Sequence, residues 1–100
     1  MKSYITLYQN EVRAVSITIR DEKDLVWIPS TAHFSIINSE GVTVLSEATA
    51  MVENNIVYAI FPSSVSATCG SYDIIWKIEK TVAPNTYIYY HKTNVIVEEL

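Results

Sequence analysis

A strict alternation of apolar and polar residues follows Gly70, and it constrains the fold more than any other feature of the chain. Four large apolar residues occur at every second position, and charged or polar residues fill most positions between them: Tyr72, Ile74, Trp76 and Ile78. A period of two is typical of a β-strand with one buried face, and a preceding glycine is typical of a turn. The pattern therefore predicts a half-buried strand that is entered through a turn.

Similar short segments recur along nearly the whole chain. Polar turns separate them, and Pro29 and Pro62 stand where a central strand has to end. We expect segment 56–61 to be a central strand because it is apolar on both faces. Segment 42–52 mixes small, polar and apolar residues, which is typical of a twisted or bulged edge strand. We also expect segment 86–99 to pair with the strand after Gly70.

This spacing of strands and turns predicts an all-β protein. About seven short strands favour an immunoglobulin-like antiparallel β-sandwich with Greek-key-type connections, and a small barrel is the alternative. The chain has no internal repeat, linker or low-complexity tract. We therefore expect residues 1–100 to form one domain.

Composition and charge limit the classes of function. The net charge is −4, and the seven basic residues are scattered, which argues against binding of a nucleic-acid backbone. Cys69 is the only cysteine, so no internal disulfide can form and assembly in a reducing cytoplasm is the simpler interpretation. The N-terminus does not resemble a secretory signal, and the longest apolar run is too short to span a bilayer as a helix. We expect neither nucleic acid nor membrane as a partner.

The sequence offers no catalytic or metal-binding constellation. Its serines lack the Gly-x-Ser-x-Gly pattern of a nucleophile. Cys69 with His33 or His91 as its base is a possible pair, but a small buried thiol is the simpler interpretation. Neither histidine has a partner at a metal-ligand spacing, and the acidic turn at residues 21–24 misses the pattern of a calcium loop. We predict a protein without enzymatic activity, cofactor or metal.

Aromatic residues are the best candidates for function. We expect Tyr72 and Trp76 to pack between the sheets. Four consecutive bulky residues at positions 87–90 cannot all face one core, and exposed tyrosines are effective anchors at protein interfaces. Trp27 either caps the open end of the sandwich or anchors an interface. The candidate protein interface therefore consists of Trp27, Tyr87, Tyr89 and Tyr90, with a sugar-binding aromatic platform as the competing use.

The order of several segments resembles a family of viral structural proteins. The landmarks are, in chain order, a polar turn at Asn10-Glu11, a strand ending at residues 17–21, segment 32–36, a turn at Gly41, a central Val57-Tyr58, Gly70-Ser71-Tyr72 and a closing segment 95–97. They are similar to the immunoglobulin-like domain at the N-terminus of tailed-bacteriophage baseplate upper proteins and in small stand-alone head or tail accessory proteins. Asn10 stands where the pattern usually has glycine, and Pro84-Asn85 replaces the more usual glycine-containing hairpin.

The resemblance implies a non-catalytic virion component that is present in many copies and held by protein–protein contacts. The chain ends directly after the expected sandwich, which favours a stand-alone auxiliary or decoration protein of the capsid over a tail or baseplate adaptor. Expected partners are the major capsid protein, or tail and baseplate proteins, in a virion assembled in the bacterial host cytoplasm. When free, such a protein is expected to be a monomer or to associate weakly. An immunoglobulin-like adhesion or glycan-binding module is the alternative from another class.

Overall fold

The computed structural model describes residues 4–20 and 28–100. These residues form eight strands and one short helical turn, because β-prone segments alternate with turn residues throughout. In chain order the elements are β1 (Ile5–Tyr8), β2 (Arg13–Thr18), β3 (Thr31–Asn38), β4 (Thr43–Thr49), β5 (Met51–Glu53), β6 (Ile56–Phe61), α1 (Ser63–Ser66), β7 (Gly70–Val82) and β8 (Asn85–Glu98).

The strands form two sheets that pack face to face. The larger sheet has the strand order β1-β8-β7-β3-β4, and the smaller sheet has the order β2-β6-β5. β1 runs parallel to β8, and the other strand pairs are antiparallel. The prediction of an all-β sandwich is confirmed, with eight strands in the described residues instead of about seven.

The core lies between the sheets and takes alternate residues from each strand. On β7 the residues at even positions from Tyr72 to Ile78 are buried, whereas those between them are partly exposed. The half-buried strand predicted after Gly70 is therefore confirmed. Trp76 is fully buried next to Phe34, with 6.2 Å between the ring centroids. Its indole N–H donates to the hydroxyl of Thr93 at 2.9 Å, so this bulky side chain is buried without an unsatisfied polar group.

Segment 42–52 divides between the two sheets. Its first part is β4, the edge of the larger sheet, and its last part is β5, an edge of the smaller sheet. The buried Ala50 lies at the crossing, where its N–H donates to the carbonyl of Ala32 at 2.9 Å. Register shifts between β3 and β4 accompany a φ of 42° at Glu47. The predicted bulged edge is confirmed, and so is the central place of β6, between β2 and β5.

A buried tyrosine fixes the connection between β6 and β7. The hydroxyl of Tyr72, near the start of β7, donates to the carbonyl of Thr68 at 2.6 Å and lies 3.3 Å from the carbonyl of Val65. The ring of Phe61 packs against it edge-on, at a centroid distance of 5.8 Å. Burial, with a smaller effect from the thiol of Cys69, raises the pKa of Tyr72. This contact holds α1 and the start of β7 in one arrangement.

Candidate protein-interaction surface

The β7–β8 hairpin extends beyond the sandwich to which it belongs. Thirteen residue pairs join the two strands, from Gly70 with Val97 to Val82 with Asn85. β3 lies beside β7 only as far as Glu79, and we call residues 79–92 the hairpin arm. At roughly 3.3 Å per residue, the tip of the arm lies about 15 Å beyond Glu79. The arm thus contributes to the elongated shape of the molecule, 46 × 26 × 22 Å.

Large side chains cover both faces of the hairpin arm. Tyr87 and Tyr89 share the face that continues the core side of the sheet, because Tyr89 lies opposite the buried Ile78. Ile88 and Tyr90 lie on the other face. All four are exposed, by 46% for Tyr87, 49% for Ile88, 53% for Tyr89 and 68% for Tyr90. The four bulky residues therefore exceed what one core can bury, as expected, and their use as an interface stays a prediction.

Residues before β3 brace the base of the hairpin arm. The N–H of Ser30 donates to the carbonyl of Glu79 at 2.8 Å, and the hydroxyl of Ser30 accepts from the N–H of Thr81 at 3.1 Å. These two bonds continue the line of β3 for one more residue along the arm. The sequence did not indicate a role for Ser30, because a serine after a proline is typical of an ordinary loop. Trp27, the fourth candidate interface residue, lies outside the described residues.

Charged groups border the hairpin arm but do not occupy its centre. Lys77 lies 3.7 Å from a carboxylate oxygen of Glu79 and 3.7 Å from one of Glu47, on the outer face of the sheet. The sequence from Thr81 to Tyr90 contains no charged residue. An apolar centre rich in tyrosine with a charged rim is the usual anatomy of a protein–protein interface.

The other residues considered for chemistry lie apart from one another. Cys69 is exposed, so the interpretation as a buried thiol is wrong: this position ends the connection from β6 in the smaller sheet to β7 in the larger sheet, outside the core between them. It precedes β7 at the end of the sheet opposite to the hairpin arm. His33 lies opposite Lys77 on the outer face of the larger sheet. His91 lies opposite Trp76, on the face of the sheet that continues the core side. The structure therefore brings neither histidine to Cys69 nor the two histidines to each other.

Polar residues elsewhere serve the fold. Arg13 donates to a carboxylate oxygen of Glu11 at 2.7 Å and to the carbonyl of Thr6 at 3.1 Å. The N–H of Tyr8 donates to the same carboxylate, which lowers the pKa of Glu11, with a further lowering by Arg13. Ser66 is buried and donates to the carbonyl of Glu11 at 2.7 Å. The contacts of Arg13 and Tyr8 hold the loop between β1 and β2, and the contact of Ser66 ties this loop to α1.

A shallow cleft of about 260 Å³ lies near the crossing from β4 to β5. Its polar side chains are Ser30, Thr31, His33 and Thr49. Across residues 4–20 and 28–100, no three or more His, Cys, Asp or Glu side chains are grouped so that they could hold a metal ion. In the same part of the chain, no helix is long and apolar enough to cross a membrane.

Comparison with known proteins gives no family assignment. No protein-family model matches the chain, and no curated protein matches it at a significant level.

Proposed function

We propose that this protein is a non-catalytic structural component of a bacteriophage particle, bound to other virion proteins through the hairpin arm. The observation that carries the proposal is the set of large, exposed, uncharged side chains that the arm holds on both faces. Tyrosine offers a large contact area at a low cost in conformational entropy, which is why it is enriched at binding surfaces. Capsid auxiliary or decoration protein is the preferred role, and a tail or baseplate adaptor is the alternative.

We further propose that the sandwich is immunoglobulin-like. The order β8-β7-β3-β4 corresponds to the G, F, C and C′ strands of a variable-type domain, and β2-β6-β5 corresponds to B, E and D. Tyr72 then takes the place of the tyrosine corner, because its hydroxyl binds the backbone a few residues upstream of strand F. Ile74 takes the place of the cysteine that follows the corner tyrosine in antibody domains.

The immunoglobulin-like assignment gives the hairpin arm a functional meaning. In variable domains the loop between strands F and G is one of the binding loops at one end of the sandwich. The arm is the corresponding hairpin here, lengthened into a regular ladder of paired residues. Its backbone is preorganised by pairing with β7 and by Ser30, so little order has to be gained on binding.

The resemblance to tailed-phage structural domains supports the class of partner. Such components attach in many copies to a large assembly, where each contact is repeated across the particle. A compact acidic sandwich with a tyrosine-rich projection that is uncharged from Thr81 to Tyr90 fits that use. No catalytic step is part of the proposal, because the candidate nucleophile and bases lie far apart.

Binding to phage particles that lack the protein tests this proposal. Purified wild-type chain is added to empty heads and, separately, to isolated tails, and occupancy is measured by cosedimentation. Tyr90→Ala is expected to weaken binding by about tenfold or more, as for a tyrosine at the centre of an interface. The matched control is Tyr8→Ala, because Tyr8 is 42% exposed and lies opposite Glu98, at the end of β8 farthest from the hairpin arm.

The outcomes separate the candidate roles. Saturable binding to heads that Tyr90→Ala weakens and Tyr8→Ala does not supports a capsid protein, and the same pattern on tails supports the adaptor. Binding that is equally strong for both variants rejects the hairpin arm as the interface. Absence of binding to either assembly rejects the virion role.

A glycan-binding adhesion module is the second candidate function. Tyr87 and Tyr89 lie on one face of the hairpin arm together with Asn85 and His91, which combines aromatic rings with hydrogen-bonding groups. A glycan array with the free protein tests it. Saturable binding of one sugar class, lost in Tyr87→Ala, would favour this function over the virion role.

A further inference from the structure

The outer edge of β8 is open along the hairpin arm. β7 lies on one side of β8 over almost its whole length, whereas β1 lies on the other side only from Val95 to Glu98. Within residues 4–20 and 28–100, no strand lies beside the segment from Thr86 to Lys92 on that edge. A regular edge strand with unpaired backbone groups is a template for pairing with another strand.

One hydrogen bond fixes the direction of the backbone groups along this edge. The N–H of Gln9, directly after β1, donates to the carbonyl of Glu98 at 2.8 Å, so the backbone groups of Glu98 point away from β7. The pairing of β7 with β8 has no register shift, and this direction alternates with a period of two along a regular strand. The N–H and C=O groups of Thr86, Ile88 and Tyr90 therefore also point to the open edge.

We propose that two copies of this chain associate edge to edge through antiparallel β8 strands, about a two-fold axis at Ile88. The two five-stranded sheets then become one continuous sheet. Thr86 of each copy lies opposite Tyr90 of the other, and Tyr87 lies opposite Tyr89. About six backbone hydrogen bonds form, because Thr86, Ile88 and Tyr90 of both copies present their groups to the shared edge.

Charge favours a second copy as the occupant of the edge. The two-fold register places no like charges opposite each other, because the segment from Thr81 to Tyr90 is uncharged. Lys92 of each copy falls opposite Pro84, at the tip of the other arm. Like charges directly opposite each other destabilise a strand pair, and their absence makes this edge compatible with itself.

The exposed apolar area suits a weak dimer. The five large apolar residues of the hairpin arm are 46% to 68% exposed: Val82, Tyr87, Ile88, Tyr89 and Tyr90. With ordinary side-chain areas they present on the order of 500 Å² per copy. Edge-to-edge pairing buries only part of this area, because the side-chain faces of the arm stay exposed, so the interface is smaller than the roughly 1,200 Å² of a stable complex. We therefore expect reversible association of free protein.

The other described edges are poorer templates. On the opposite edge of the same sheet, β4 contains a residue with positive φ, Glu47, and two register shifts. β1 has four residues and β5 has three, and the six residues of β2 begin with the charged Arg13. Short strands, bulges and charged residues are the features by which edges resist pairing. The dimer goes beyond the proposed function, because it assigns the backbone edge of β8 to a second copy of the chain. The side-chain faces of the arm stay accessible to a virion partner.

Sedimentation equilibrium of the free full-length chain, over roughly 1 μM to 1 mM, tests the association. Wild-type protein is expected to convert reversibly from monomer to dimer in this range. Ile88→Lys is expected to raise the dissociation constant by about tenfold or more, because it places two like charges opposite each other on the axis. Val44→Lys is the matched control, since Val44 is 41% exposed on β4, and it is expected to change nothing.

Disulfide trapping tests the register. In a Cys69→Ser background, Ile88→Cys places two thiols opposite each other, with Cα atoms about 5.5 Å apart, a distance that suits a disulfide. Thr86→Cys places its two Cα atoms about 14 Å apart, which is too far. Cross-linked dimer from Ile88→Cys alone supports the proposal. Equal cross-linking of both variants overturns the register. A wild-type chain that stays monomeric overturns the dimer without affecting the virion role, which is measured separately on particles.

Discussion

The two halves of the β7–β8 hairpin have the same backbone structure and opposite surroundings. In the half that lies within the sandwich, Trp76 and Ile78 are at most 1% exposed, and Val95 and Val97 complete the same core. In the hairpin arm, every residue from Thr81 to Lys92 is exposed. The difference teaches that alternation identifies a strand, while the extent of the opposite sheet decides whether the large residues of that strand are buried in the core or exposed.

The comparison predicts that large residues of the two halves respond differently to truncation. Trp76→Ala removes a fully buried side chain and leaves a cavity, so we expect it to lower the free energy of unfolding by about 3–5 kcal/mol. Tyr90→Ala removes an exposed side chain and is expected to change stability by less than about 0.5 kcal/mol. Urea denaturation of both variants measures the difference. Similar losses in the two would show that the arm is part of the core.

Tyr72 is expected to give the next largest effect. Tyr72→Phe keeps the ring against Phe61 but removes the hydroxyl that binds the carbonyl of Thr68, at a cost of about 1 kcal/mol. Chemical denaturation at neutral pH measures this loss. An unchanged stability would show that the hydroxyl does not hold the connection before β7.

The raised pKa of Tyr72 also makes stability depend on pH. Because the folded pKa is above the unfolded value of about 10, the phenol contributes its full stabilisation below pH 10. That contribution is lost as the pH rises through the raised folded pKa. We expect a smaller alkaline loss of stability in Tyr72→Phe than in wild type, measured by denaturation between neutral pH and about pH 11. Identical alkaline slopes would contradict this assignment.

A substitution at Ser30 tests where the sandwich half of the hairpin ends and the arm begins. We expect it to have the smallest effect of the substitutions that remove a hydrogen bond or a buried side chain. Ser30→Ala removes the side-chain acceptor for the N–H of Thr81, an exposed bond worth about 0.5–1 kcal/mol locally. Amide hydrogen exchange of Thr81 is expected to become faster, while exchange at Trp76 stays unchanged. Faster exchange at both positions would show that arm and sandwich open as one unit.

Much of the fold could be predicted from the sequence because its strands have one buried face. The alternation from Tyr72 to Ile78 and the doubly apolar segment of β6 gave the correct elements and their central places. The division of segment 42–52 between two sheets could not be predicted, because the choice of sheet depends on the position of β3 and β6 in space. The parallel pairing of β1 with β8 joins the two ends of the chain and has no local signal either.

The candidate site was predictable in part. The run at residues 87–90 is too bulky for one core, and this excess was visible in the sequence. The bracing by Ser30 and the open edge of β8 depend on where β1 and β3 end, which no local pattern gives. The position of Tyr72 among the apolar residues of the alternating pattern indicated that its ring is buried. It did not indicate the hydrogen bond from its hydroxyl to the carbonyl of Thr68. Its position two residues after Gly70, at the start of a strand, was the only available signal.

Hydrogen exchange on the assembled particle tests the central claim most directly, namely that the hairpin arm is the binding surface of a rigid sandwich. The free protein is measured below the concentration at which it self-associates, and then bound to the heads or tails that retain it. The account predicts new protection at residues 86–90 and also at Thr81, whose N–H points to Ser30 and away from the open edge of β8, with little change at residues 70–78. Protection confined to β4 and β5, with unchanged exchange along the arm, would contradict it.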